Sequence, residues 1–204
     1  MFSLRRCLTL IIAVGVIALT SIAEGVAPVH AQTAEQMFKQ LHTKKKRTRS
    51  FSAKRQMQRL RQLVDKKRRS RGLARPDRTE LLEIVADQKL PSLELEILFD
   101  FASADISDAS LGQLNKLADV LKRPEFAGSK FVLLGHTDSK GSASYNLTLS
   151  QRRADAVQAF LLNVPGMGSG RFFTVGFGAE KPKNTNDTTA AENRRVQVIN
   201  LADF

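Results

Sequence analysis

Cysteine is all but missing from this 204-residue chain. The single one, Cys7, stands ahead of the apolar run Leu8 to Ala23. A lipid-carrying cysteine would follow such a run, so a lipoprotein is excluded, and no intrachain disulfide can form. Stability must therefore come from burial. Histidine occurs three times. Only His42 and His136 lie beyond the N-terminal segment, without metal-ligand spacing, so neither a metal nor a cofactor is expected. Acidic residues are scarce in one place above all: residues 39–78 hold 17 Lys and Arg against Asp65 and Asp77 alone.

The N-terminus reads as a secretory signal. Arg5 and Arg6 precede the apolar run, and Val29-His30-Ala31 offers small residues for cleavage. Residues 1–31 are the expected signal peptide, with a cut after Ala23 as second choice. The run approaches the ~18 apolar residues of a spanning helix, so an uncleaved anchor stays open. Cleavage at Ala31 leaves room for one ordinary domain and a tail, but not for an added eight-stranded barrel.

The net charge of +12 belongs to the 39–78 stretch, because residues 79–204 are mildly acidic. Lys44-Lys45-Lys46-Arg47 and Lys66-Lys67-Arg68-Arg69 are runs of like charge, which repel and extend a chain. Residues 32–91 are accordingly expected as a basic linker, largely disordered or partly helical. Ala53, Met57, Leu60 and Val64 share one helix face, so a basic amphipathic helix on anionic lipid or wall polymer is the competing reading. Composition alone would admit nucleic acid, a partner that an exported protein rarely meets. Asp77-Arg78-Thr79-Glu80 has the form of a capping box ahead of a short helix to Asp87.

Beyond Pro91 the periodicity changes. Leu93 to Phe99 alternates as a half-buried strand. Ser107 can cap a helix to Lys122 with Leu111, Leu114, Ala118 and Leu121 on one stripe. Lys130 to Gly135 is a nearly all-apolar strand. A second helix is expected over 143–162, then strands over 171–177 and 194–201. The order β-α-β-α-β-β predicts an α+β two-layer sandwich with helices packed on a small mixed sheet.

Gly135-His136-Thr137-Asp138, Tyr145-Asn146, Leu149-Ser150, Arg153-Ala154, Gly176-Phe177-Gly178, Lys181-Pro182 and Asn193-Arg194-Arg195-Val196 together resemble the OmpA-like (OmpA/MotB C-terminal) domain family. The resemblance covers residues 92–204. It implies non-covalent binding of peptidoglycan, without catalysis, at the cell wall or outer membrane in the periplasm of a Gram-negative bacterium. Its ligand is the diaminopimelate of the stem peptide, whose far end carries an ammonium and a carboxylate on one carbon. The family's contacts map onto Asp138 for the ammonium and Arg153 for the carboxylate. Asn146, Thr137 and Arg194 match further positions lining the pocket, and Phe99 and Asp100 match its border. An ionised Asp only accepts hydrogen bonds, and the planar guanidinium fork donates two in parallel, so these residue types suit the two charges.

A hydrolase reading of His136, Asp138 and Ser150 fails for want of a nucleophile elbow. Gly166-Met167-Gly168-Ser169-Gly170 follows a helix rather than a strand, unlike a phosphate loop. The MotB branch of the family suggests a motor stator, but a proton path needs an acid that Leu8 to Ala23 lacks. The expected function is anchoring to the wall. The alternative is an envelope adaptor or regulator whose residues 39–78 take an anionic membrane surface or another envelope protein.

Overall fold

The computed structural model describes residues 32–42, 51–70, 72–99 and 103–201. The expected signal segment, the 44–47 basic run and Asp100 lie outside the described residues. Five helices are described: α1 (Ala34–Leu41), α2 (Phe51–Arg69), α3 (Arg75–Asp87), α4 (Asp108–Leu121) and α5 (Ala143–Leu162). Four strands are described: β1 (Ser92–Leu95), β2 (Phe131–His136), β3 (Phe172–Gly178) and β4 (Val196–Asn200). The sheet order is β1-β4-β2-β3. β4 runs antiparallel to both β1 and β2, and β3 runs parallel to β2. This is the expected α+β order of helices on a small mixed sheet.

Alternation along the strands splits the core in two. Phe131, Leu133, Val196 and Val198 meet α1, α4 and α5 on one face. Val132, Leu134, Phe173, Val175 and Ile199 meet α2 and α3 on the other. The α2–α3 pair thus adds a second helical layer to the two-layer arrangement. A strand apolar at every position needs cover on both faces, and β2 is buried throughout.

The 32–91 segment differs most from its expectation as a linker. Its described residues form three helices packed on the sheet. Met57, Leu60, Leu63 and Val64 of α2 are all buried. At about 1.5–3 kcal/mol for each buried side chain, this outweighs like-charge repulsion of a few tenths per helical pair. Ion pairs Arg59–Glu80 at 2.7 Å and Lys66–Asp77 at 2.5 Å bind α2 to α3. The capping box at Asp77 is not made: α3 begins two residues earlier, behind Ala74, with Pro76 in its first turn.

The first strand is also shorter than its alternation suggests. β1 ends at Leu95, and Phe99 meets Ile106 in an isolated bridge. The backbone leaves the sheet there because Leu98 turns to α4: its N–H donates to Ser110 Oγ, and its carbonyl accepts from Ser107 N.

Packing of α5 on the sheet sets the position of everything that follows. A side chain at Gly135 would stand 2.1 Å from the Ser150 carbonyl oxygen, and one at Gly176 would stand 2.6 Å from Gln151 N. These glycines therefore admit the helix backbone. At that distance α5 side chains satisfy the free edge of β3. Gln151 accepts from Gly176 N, Ser150 accepts from Gly178 N, and Gln158 donates to the Phe172 carbonyl. An edge strand closed in this way offers little to a second sheet.

Candidate functional site

The candidate site lies where β2 runs out. His136 N donates to the Arg195 carbonyl and Thr137 N to the Gly178 carbonyl, so the sheet still holds the backbone one residue before Asp138. The chain then turns through Gly141, whose φ of +91° favours glycine. Ser142 caps α5 by accepting from Tyr145 N. Asn146, buried on the first turns of α5, donates to the Asp138 and Lys140 carbonyls at 3.3 and 2.8 Å. It locks the turn, and the Asp138 Oδ1 that accepts from Lys140 N tightens it further.

Asp138 and Arg153 do not form a direct ion pair. The Asp138 carboxylate instead takes Arg194 Nη1 at 3.1 Å. Arg153 is buried. Its Nε donates to the Ser103 carbonyl at 3.1 Å, and its guanidinium carbon lies 4.7 Å from the Phe99 ring centroid. Its two terminal nitrogens have no partner among the described residues. Burial lowers the Arg153 pKa, the positive charge of Arg194 lowers it further, and the negative charge of Asp138 opposes both. The three charges therefore share one neighbourhood.

Strand alternation separates the two neighbouring arginines at β4. Arg194 reaches Asp138, whereas Arg195 turns to Glu94 at 3.2 Å on the face covered by α2 and α3. Helical phase likewise leaves Arg152 exposed while Arg153 is buried. Thr137 is buried beside Asp138, and its hydroxyl has no partner. Phe99 forms the floor under Arg153. Thr137, Asn146, Arg153, Arg194 and Phe99 are thus gathered around Asp138. Asp100 lies outside the described residues.

Several supports are absent from the expected site residues, although Asn193 belongs to the stretch that carries the family resemblance. Ser103 contributes only its carbonyl, which any residue could. Asn193, fully buried, accepts from Lys183 N and Asn184 N and donates to the Asp187 carbonyl, tying the loop that delivers Arg194. Ser139 meets Thr188 through side chain and backbone, fastening that loop to the one bearing Asp138.

Residues 98–195 match the OmpA family. That stretch is an OmpA-family domain. Outer membrane porin F of Pseudomonas aeruginosa is 37% identical over 107 residues, covering 52% of this chain and 30% of that protein. The peptidoglycan-associated lipoprotein of Legionella pneumophila is 35% identical over 104 residues, 50% of this chain and 57% of that protein. The crystal structure of the peptidoglycan-associated lipoprotein from Burkholderia pseudomallei is 32% identical with a TM-score of 0.44, covering 51% of this chain and 87% of that one. The matched stretch thus spans from under a third to somewhat over half of these curated relatives. In the OmpA-family stretch of this chain, every described site residue lies between 98 and 195.

His136 lies behind the site, stacked on Phe177 with centroids 5.6 Å apart. Neither ring nitrogen has a partner. Ser150 meanwhile donates to the Leu147 carbonyl, on the opposite face of the sheet. Burial first, and the Arg195 charge second, push the His136 pKa down to about 3. The folded state therefore refuses a proton that the unfolded chain accepts below about pH 6.5, so stability is full above that pH and falls toward pH 3. Between pH 7 and pH 4 the expected loss from this residue is roughly 3 kcal/mol. Urea midpoints at both pH values check this. The His136→Leu variant should lose less over the same interval, and an equal loss would put the acid sensitivity elsewhere.

Proposed function

We propose that this OmpA-family domain binds peptidoglycan without covalent chemistry, through the diaminopimelate of the stem peptide. It thereby anchors the protein to the cell wall, in the periplasm of a Gram-negative bacterium, at the wall or outer membrane. The observation that carries this reading is the pair of Arg153 nitrogens near Asp138 that have no partner among the described residues. A buried guanidinium held only through Nε and a ring face still has a donor fork to offer, and a carboxylate is its natural acceptor. An ammonium on the same ligand carbon would take an Asp138 oxygen, sharing it with the half-exposed Arg194. The Thr137 hydroxyl and the Phe99 ring complete a site suited to a zwitterion. Two of the relatives cited above are named for association with peptidoglycan, which favours the same ligand class. The domain is a binding module in this reading, and not an enzyme.

Competition tests it. Purified peptidoglycan containing diaminopimelate should carry the protein into the pellet, and free diaminopimelate should release it. Nα-acetyl-lysine amide, which offers the side-chain ammonium without a carboxylate on the same carbon, should not. Equal release by both would show that the site reads charge alone and would sink the diaminopimelate assignment.

A further inference from the structure

The two ends of the sheet differ in chemistry. Asp138 follows the last residue of β2. The first residue of β2, Phe131, pairs with Asn200 at the other end. Asn200 N donates to the Pro91 carbonyl, and its side chain donates to the Leu41 carbonyl. The C-termini of α1 and α3 therefore lie at this far pole. Gln56 donates to Asp87, the last residue of α3, which brings the start of α2 there too. Arg171 binds the carbonyls of Leu121 and Phe126, so the end of α4 joins them. α5, 20 residues and so about 30 Å long, runs between the two poles.

Lys39, Lys54, Arg55, Lys89 and Lys122 are exposed at this pole. None has an ion-pair partner among the described residues. Glu35 there is taken by Arg123 and Asp87 accepts from Gln56, while Glu83, Asp119 and Glu125 are further exposed acids near these helix ends. Lysines at helix C-termini complement the helix dipole and need no further explanation. Lys54 and Arg55 are different. They sit at the positive end of α2, whose first turn contains no acidic residue. The arrangement costs helix stability, offset in part by the stacking of Arg55 on Phe51, and a local rule broken in this way points to a partner. Phe51, with Arg55 over its ring, is 77% exposed beside them.

We infer that this basic pole, centred on Lys54 and Arg55 of α2, docks on the phosphate-bearing surface of an anionic membrane. The apolar face of α2 is already spent on the sheet, so contact is electrostatic and involves no insertion of the helix. The choice of a membrane as occupant rests on the wall-binding reading. A domain gripping the wall with one end turns the opposite end away from it, toward the next anionic surface in the envelope. The surface itself stands without that reading.

Residues 32–204 contain both cores and every described element, and this piece is the one to test. It should sediment with vesicles containing phosphatidylglycerol, not with neutral phosphatidylcholine vesicles, and added salt should release it. Lys54→Glu with Arg55→Glu should weaken that binding about tenfold or more while leaving peptidoglycan binding unchanged. Asp138→Ala should do the reverse. Unaltered vesicle binding by the double variant overturns the inference. So does loss of wall binding by that variant, which would make the wall polymer the ligand of this pole. If wild type ignores the wall yet binds anionic vesicles through Lys54 and Arg55, the wall reading fails and the basic pole remains.

Discussion

Arg153→Ala is expected to abolish retention on purified peptidoglycan, weakening binding by at least about thirtyfold. Removing one member of a buried, hydrogen-bonded charge pair typically costs about 2–5 kcal/mol, and Arg153 is 7% exposed. Arg153→Lys keeps the charge but loses both the fork and the flat stack on Phe99, so it should recover only part of the affinity. Arg194→Ala should have a smaller effect. That side chain is 38% exposed and its pairing with Asp138 is open to solvent. Sedimentation isotherms of the three variants, each with an intact circular dichroism spectrum, give the ranking. Full retention by folded Arg153→Ala would remove the clamp, and a larger loss from Arg194→Ala would move its cationic half to the loop before β4.

Gly135→Ala is expected to be the most destabilising single-methyl change in the domain. The new carbon would meet the Ser150 carbonyl oxygen at 2.1 Å, its carbon at 2.9 Å and Ala154 Cβ at 3.4 Å. Two of these are helix backbone, which no rotamer change can move. α5 must retreat from the sheet, at a cost of about 3 kcal/mol or more. For a domain of this size that lowers the melting temperature by roughly 10 °C. Arg153 is one helical turn from Ser150, so wall binding should fall with it. Gly112→Ala is the matched control: it lies on exposed α4 with open space around it, and helix propensity alone should hold or raise its stability. A melting temperature for Gly135→Ala equal to wild type would show that α5 yields to an added methyl group without cost.

What was readable in the sequence depended on how local the determining physics is. The span of α5, 143–162, follows from a phased apolar stripe and a Pro-Gly stop, both within one segment. The choice of Arg153 over Arg152 follows from helical phase, again a local property. The stripe Met57, Leu60 and Val64 was equally visible, but its partner was not. The linker expectation, and the competing one of a helix on anionic lipid or wall polymer, both arise because the charges around it dominate the composition. The decisive clue sat seventy residues away, in the unbroken apolar run of β2, which needed cover on a second face.

The pairing of Asp138 with Arg194 was beyond any reading of spacing. Fifty-six residues separate them, and they meet only because β4 lies beside β2 and a buried Asn193 shapes the intervening loop. Sequence alone determined the order of elements beyond Pro91 and the charged groups available to a ligand, since each depends on residue type and near-neighbour period. Tertiary structure alone decided which cation stands against Asp138, which atoms of Arg153 remain free, and that the basic helix α2 closes the core. Those outcomes turn on contacts between distant segments, where burial of a stripe worth several kcal/mol overrules the repulsion of the charges beside it.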